Sequence, residues 1–244
     1  MTMTRWIIAG LFVLGAFLDV REVFAQRNEM PAGYPLSLEA DLQMLLRKVR
    51  EGAPSPGLLV RLSETYFDLA DDLLTDEGKR REAYEAGARA AKRAYELDDS
   101  NADAHFFHAV NLGSAERLKG IADAARVVKE IRQCAMRATE LNPTHAQAFQ
   151  MLGGLLIELP WFLGGDEKRA QEYLERAVAA DGNYTNARIL LAKLYRKQNR
   201  IEDAKSQLEA VVQARHPRYR YTWERKYKPE AERLLKELTG SGTP

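Results

Sequence analysis

Cysteine is almost missing from this chain: Cys134 is the only one. A single thiol cannot close an internal disulfide, so stability has to come from packing. An excess of one charge is missing too. The 36 Lys and Arg face 35 Asp and Glu, so the molecule as a whole is no general binder of polyanions. There is no Gly-x-Gly-x-x-Gly and no glycine-rich loop ending in Gly-Lys-Thr/Ser, which removes the usual phosphate cradles. The four histidines include no recognisable triad spacing, His145 following a turn and His216 preceding Pro217. The chain reads as non-catalytic, with no cofactor and no metal.

What is present is a small pattern used four times. Leu59, Leu62, Ser63 and Tyr66 share the spacing of His105, His108, Ala109 and Leu112. Phe149, Leu152, Gly153 and Leu156 repeat it, as do Arg188, Leu191, Ala192 and Tyr195. Each set is followed by a second: Gly87, Ala91, Ala94; Ile131, Ala135, Ala138; Ala170, Leu174, Ala177; Ala204, Leu208, Val211. Offsets of three, four and seven put each set on one helix face, and the small residue on that face lets two helices approach closely. The spacing predicts helix pairs at 56–75 with 77–97, 101–117 with 120–141, 145–158 with 167–180, and 185–197 with 201–214.

Around these pairs the chain divides as 1–25 export signal, 26–53 linker and N-terminal helix, 54–218 repeats, and 219–244 capping helix and tail. Leu38, Leu42, Leu45, Leu46 and Val49 mark the N-terminal helix. Ser55-Pro56 offers a capping oxygen followed by a proline suited to the first turn, and Asp166 after Gly164-Gly165 offers another cap. Thr144 with Gln147 has the spacing of a capping box. Ala231, Leu234, Leu235 and Leu238 share a face near 229–239, as a terminal cap of a stack requires.

The first residues read as a targeting segment. Arg5 is followed by 13 apolar residues from Trp6 to Leu18, then Val23-Phe24-Ala25 at the places a signal peptidase reads. Thirteen residues are short of the roughly 20 a spanning helix needs. The reading is export to the periplasm or beyond, with a mature start at Gln26; an uncleaved N-terminal anchor is the alternative.

The repeated residues resemble the tetratricopeptide repeat (TPR). The fourth unit fits its period through Leu191-Ala192, Tyr195, Ala204, Leu208 and Val211, and the third through Leu152-Gly153, Ala170 and Ala177. The resemblance implies an all-α fold: a right-handed superhelical solenoid of about four helix-turn-helix units with an N-terminal helix and a C-terminal capping helix. The segment Leu159-Pro160-Trp161-Phe162-Leu163-Gly164-Gly165-Asp166 is similar to two narrower groups. One is the periplasmic TPR components of tripartite ATP-independent periplasmic transporters; the other is the regulator of microtubule dynamics family. The first implies a transporter's solute-binding component as partner.

A solenoid binds in its groove. Candidate groove residues, taken beside the packing set on first helices, are Glu64, Asp68, Phe106, Gln147, Gln150, Asn186, Lys193, Arg196 and Lys197. They make one end acidic and the other basic, with Lys193, Arg196 and Lys197 as one positive spot. The same polarity runs through the chain: Glu64 to Glu77 holds six acids and no base, and Arg188 to Lys228 twelve bases and four acids. Basic and aromatic residues interleave over 215–228. Their expected role is packing of the aromatics between the last repeat and the cap, with the charges solvated or facing anionic lipid rather than nucleic acid. His105 and His108 read as packing residues rather than metal ligands, and Cys134 as a small buried hydrophobe. The function that follows is an adaptor holding a protein or peptide partner. The rival is a small organic ligand held by Phe106, Trp161 and the groove polar residues, for which a closed apolar cavity of a few hundred Å³ is the signature.

Expressed at full length in a Gram-negative host, the chain should yield a periplasmic product starting near Gln26. N-terminal sequencing that finds Met1 on a soluble cytosolic product would overturn the export reading.

Overall fold

The computed structural model describes residues 30–240, so the predicted export segment and the last four residues lie outside the described residues. Among the described residues ten longer helices follow one another: α1 Ser37–Glu51, α2 Pro56–Asp68, α3 Glu77–Leu97, α4 Ala102–Lys119, α5 Ile121–Leu141, α6 Ala146–Glu158, α7 Glu167–Ala180, α8 Thr185–Lys197, α9 Ile201–Val212 and α10 Lys228–Gly240. Shorter helical turns lie at Leu69–Leu73, Trp161–Leu163, Arg220–Thr222 and Trp223–Tyr227. No strand occurs among the described residues, and none of these helices is long and apolar enough to cross a membrane.

The helix starts follow local chemistry. Ser55 accepts the Leu58 N–H at 3.2 Å with Pro56 at the first helical position, and Asp166 accepts the Arg169 N–H at 3.0 Å. Asp76 and Asn101 do the same for α3 and α4. Each satisfies a donor that has no partner inside its own helix. The expected box of Thr144 and Gln147 does not form. The Thr144 hydroxyl donates to Asn142, His145 Nδ1 caps α6 by accepting the Ala148 N–H, and Gln147 is drawn to another part of the chain.

Packing between helices rests on the small residues the pattern singled out. Ala91, Ala94, Ala135, Ala138, Ala170, Ala177 and Ala204 have no exposed surface. At Gly153 a Cβ would stand 2.7 Å from Leu174 Cγ and 3.1 Å from the Ala170 carbonyl oxygen, so α6 and α7 meet nearly backbone to backbone. Between α2, α3 and α4 the contact is polar. Ser63 Oγ donates to the Gly87 carbonyl at 2.8 Å, and Asn111 Nδ2 donates to Ser63 Oγ at 3.1 Å and to the Phe107 carbonyl at 3.0 Å. Asn111 is fully buried there, while Leu112, the expected packing residue, is half-buried.

The first helices of successive pairs, α2, α4, α6 and α8, touch in sequence, whereas the second helices scarcely meet one another. The stack therefore curves with the first helices inside. α1 closes one end against α2, and α10 covers α9 at the other. The long connection between α6 and α7 turns through Gly164 at φ 93°, and a Cβ on Gly165 would fall 1.9 Å from the Leu159 carbonyl oxygen. The N–H groups of Gly164, Gly165 and Asp166 bond Trp161, Pro160 and Leu156, which makes this a closed turn rather than an anion cradle.

The adjacent glycines of α6 separate packing from propensity. Gly153→Ala should destabilise by about 1–3 kcal/mol through overpacking. At Gly154 a Cβ meets only Gln150 Nε2 at 3.7 Å and Leu190 Cδ1 at 3.8 Å, so Gly154→Ala should be neutral or gain about 0.5–1 kcal/mol. Urea unfolding of the two variants decides it; equal shifts would refute the close α6–α7 contact.

Candidate binding face

The inner face begins at the end of α2. The helix runs out in Asp68, and the chain continues through the widened turn Leu69–Leu73, closed by the Leu74 N–H on the Leu69 carbonyl at 2.9 Å. Turns of this width are rare and cluster at functional sites. This one carries Asp71 and Asp72, which with Glu64 and Asp68 form an acidic wall. Burial, with Glu64, Asp72 and Asp71 adding like charge, pushes the Asp68 carboxyl well above the usual carboxylate range. Burial raises Asp72 as well, against the hydrogen bonds it accepts from Tyr34 and Thr222.

Facing this wall is a segment about 150 residues later. After α9 the chain turns at Pro217 and crosses the inner face from α8 toward α2. At the α8 end, Arg218 donates its backbone N–H to the Asn183 carbonyl at 2.9 Å, and its guanidinium pairs with Asp181 at 3.0 Å. Tyr219 sits in the left-handed region at φ 58°, uncommon for a bulky side chain. Its hydroxyl accepts Gln147 Nε2 at 3.1 Å, and its ring meets Tyr184 edge-on with centroids 6.2 Å apart. Tyr221 packs edge-on against Tyr34 at 5.2 Å. Thr222 donates to Asp72 at 3.3 Å, and Lys226 donates to Asp71 at 2.8 Å from a second widened turn, Trp223–Tyr227. Arg80 also approaches Asp71, at 3.8 Å. Burial raises the Tyr219 and Tyr227 hydroxyls, so both stay protonated and able to donate at neutral pH.

Five of the expected groove residues converge here. Glu64 and Asp68 face the crossing segment, Gln147 binds Tyr219, and Gln150 accepts the Tyr184 hydroxyl at 2.9 Å, which the Asn186 side chain also reaches. The other four lie elsewhere. Phe106 is buried against Phe107 and His145. Lys193 pairs with Glu230 at 2.6 Å, Arg196 with Glu237 at 2.9 Å, and Lys197 with Glu167. The positive spot is thus neutralised by α7 and α10; with Ile157, Leu190 and Leu194 it rims a shallow open depression of about 410 Å³.

The expectation for 215–228 holds for two of the four rings, since Tyr227 packs with Trp223 against the core shared by the last repeat and the cap. Trp223 does pack between the last repeat and the cap, donating Nε1 to the Val211 carbonyl at 2.9 Å, whereas Tyr219 and Tyr221 reach α6 and Tyr34. Asp71, Asp72, Tyr34, Thr222 and Lys226 were absent from the expected site. Their signal was the opposite charge of the 64–77 and 188–228 stretches, two halves of one contact. The cavity imagined for a small ligand is not assembled either: Trp161 is 85% exposed on the outer turn, far from the buried setting of Phe106.

The remaining candidates are structural. His108 bridges the Ala88 carbonyl at 3.0 Å and Glu130 at 2.8 Å, and His105 stacks on Tyr95 at 4.8 Å with Nε2 on the Asp99 carbonyl. Cys134 is half-buried, and burial with nearby Glu130 pushes its thiol up to about 11, away from the reactive thiolate.

Comparison with known proteins places this architecture. A family profile described as tetratricopeptide repeat matches residues 163–221. Among solved structures, a thermophilic TPR protein of Thermus thermophilus superposes with a TM-score of 0.60 at 17% identity, covering 81% of this chain and 91% of that one. Regulator of microtubule dynamics protein 1 of Mus musculus is 28% identical over 215 residues, 80% of this chain and 68% of that protein. Its Pongo abelii counterpart is 30% identical over 215 residues, 80% of this chain and 66% of that protein, so about a third of each relative has no equivalent here. The profile described as regulator of microtubule dynamics protein 1-3 matches residues 26–159. That match stops at Leu159, so it rests on α1–α6 rather than on the Leu-Pro-Trp turn, and it favours the second of the two narrower resemblances. Because it spans more than half of the sequence, and takes in the helix and turn that supply the acidic wall, the chain belongs to the regulator of microtubule dynamics family, built on a TPR fold.

Proposed function

We propose that this protein is an exported, non-catalytic adaptor that holds a segment of a partner protein or peptide against the inner face of its helical stack. The observation that carries the reading is that a segment of polypeptide already lies there: residues 218–227, mostly in helical turns, make ion pairs, hydrogen bonds and ring contacts with the turn after α2, with α6 and with the turn before α8. The surface is built to recognise polypeptide. Export stands on the N-terminal apolar run and the Val23-Phe24-Ala25 site alone. The relatives' name links them to microtubule dynamics, and from it we carry over only a partner that is itself a protein.

A carboxylate cluster with raised affinity for protons is a cost to the fold at neutral pH, which a binding role explains. The folded state holds the Asp68 proton more tightly than the unfolded chain does. Stability therefore falls as pH rises through the unfolded carboxylate range, near 4, toward the folded value. Asp68→Asn should accordingly raise the melting temperature at pH 7 by about 2–4 °C, the effect of about 1 kcal/mol in a chain this size, with the gain shrinking toward pH 4. An equal gain at both pH values would show that the carboxylate charge is not its cause.

Placement of the partner is tested by photo-crosslinking. A benzoyl-phenylalanine at Gln150 or Asn186, on first helices, should trap a partner protein, whereas one at Lys129 or Glu209, exposed on second helices, should not. Crosslinks confined to the second-helix positions would overturn the inner-face reading.

A further inference from the structure

The connection between α6 and α7 holds its apolar side chains away from the protein. Trp161, Phe162 and Leu163 follow one another at 85%, 67% and 56% exposure, and none of the three is buried. Their backbone is fixed from within. The Leu163 and Gly165 N–H groups donate to the Pro160 carbonyl at 2.9 and 3.0 Å, and the Asp166 N–H donates to the Leu156 carbonyl at 3.1 Å. With Gly165 pressed against the Leu159 carbonyl, the turn has little room to rearrange. The Trp161 and Phe162 rings meet edge-on with centroids 5.9 Å apart, so the apolar surface is continuous. Cations flank this tip. A Cβ on Gly164 would lie 3.5 Å from Arg132 Nη1, which brings a guanidinium of α5 to the turn, and Lys168 and Arg169 follow at the start of α7. All three are exposed, and among the described residues none of them pairs with a carboxylate. The acids beside the turn are already engaged: Glu158 with Arg117 at 2.9 Å, Glu167 with Lys197, and Asp166 as the cap of α7.

From this we infer that the turn is a membrane-docking tip: Trp161, Phe162 and Leu163 enter the headgroup–acyl boundary of a bilayer, and Arg132, Lys168 and Arg169 meet anionic headgroups. Shape, area and charge choose a bilayer over a protein. The side chains project instead of lining a groove, so a protein would need a matching pocket, whereas lipid adapts to whatever enters it. They offer roughly 400 Å² of apolar surface, half of the about 800 Å² per partner that a stable protein interface buries. An indole, apolar in body with one N–H donor, suits the boundary between acyl chains and water. Unpaired cations beside it match anionic lipid, each strengthening attachment about fivefold. Attachment of this kind is peripheral and needs no spanning helix. The tip lies outside the inner face, so the inference stands apart from the adaptor reading.

The test uses the full chain with vesicles of phosphatidylcholine, alone or mixed equally with phosphatidylglycerol, prepared with and without brominated acyl chains. The chain has three tryptophans, Trp6, Trp161 and Trp223, so the emission lost in Trp161→Phe reports Trp161 apart from the N-terminal apolar run. That component should shift to the blue on mixed vesicles and be quenched by brominated chains. Trp161 emission that stays unquenched while the chain binds, or an absence of binding, would overturn the proposal. Trp161→Ala with Phe162→Ala changes exposed positions only, with circular dichroism checking the fold, and should weaken binding about tenfold; unchanged affinity would refute the tip. Arg132→Glu with Lys168→Glu should weaken binding to mixed vesicles about tenfold and leave binding to phosphatidylcholine alone unchanged. An equal effect on both lipids would refute the pairing with anionic headgroups. A benzoyl-phenylalanine at Phe162 that traps a protein and no lipid would assign the turn to a protein partner instead. Crosslinks from Gln150 and Asn186 report on the inner face separately, so the adaptor reading and the docking tip can fail independently.

Discussion

Two helices come within backbone distance of each other only where no side chain stands between them, and this whole stack depends on that condition being met at every step. Gly153 lies against Leu174 and the Ala170 carbonyl, Gly87 lies against Asn111, and Ala135, Ala170 and Ala204 have no exposed surface. Close contact between the helices of a pair fixes their relative position, and the larger residues beside the small ones, Leu174, Leu208 and Phe149, fill the space on either side. Since the first helices also touch one another while the second helices diverge, the pairs curve and leave an inner face.

That face is where local and global preferences conflict. Glu64, Asp68, Asp71 and Asp72 are packed close together, and burial raises the proton affinity of Asp68 and Asp72. A sequence selected for stability alone would have little use for them. They are met by Lys226, Thr222 and Tyr34, and by Arg80 at the margin of the cluster. A stack of repeats needs no such contact, because each pair is already stabilised by its neighbours. Residues 218–227 both hold the stack together and occupy its inner face: Trp223 and Tyr227 pack into the core of the last repeat and cap, while Lys226 and Thr222 carry the end of the chain to the carboxylates of the first repeat.

The two ends of the charge pattern show why some of the site was readable and some was not. The asymmetry between residues 64–77 and 188–228 is plain in the sequence, and so is the interleaving of Arg, Lys and Tyr over 215–228. Helical spacing correctly put Gln147 and Gln150 on the inner side of α6, since residues three apart on a helix share a face. The same rule applied to Lys193, Arg196 and Lys197 located a true cluster and misjudged its setting. Spacing says which residues point together, not what comes to meet them, and here Glu230 and Glu237 of α10 and Glu167 of α7 do. Thr144 and Gln147 were misassigned for a related reason: a capping box is one local arrangement among several, and here His145 caps the helix while a distant Tyr219 draws Gln147 away.

By itself the sequence determined the class of fold, because the small-residue period of three, four and seven is a property of single helices and their immediate partners. It determined the caps at Ser55 and Asp166 and the glycine pair at 164–165 for the same reason: every atom involved lies within a few residues. Tertiary structure alone decided what fills the inner face. Lys226 meets Asp71 across 155 positions and Thr222 meets Asp72 across 150, and no periodicity within a helix encodes an encounter over that distance. Only the curvature accumulated over four helix pairs brings the end of the chain back to its first repeat.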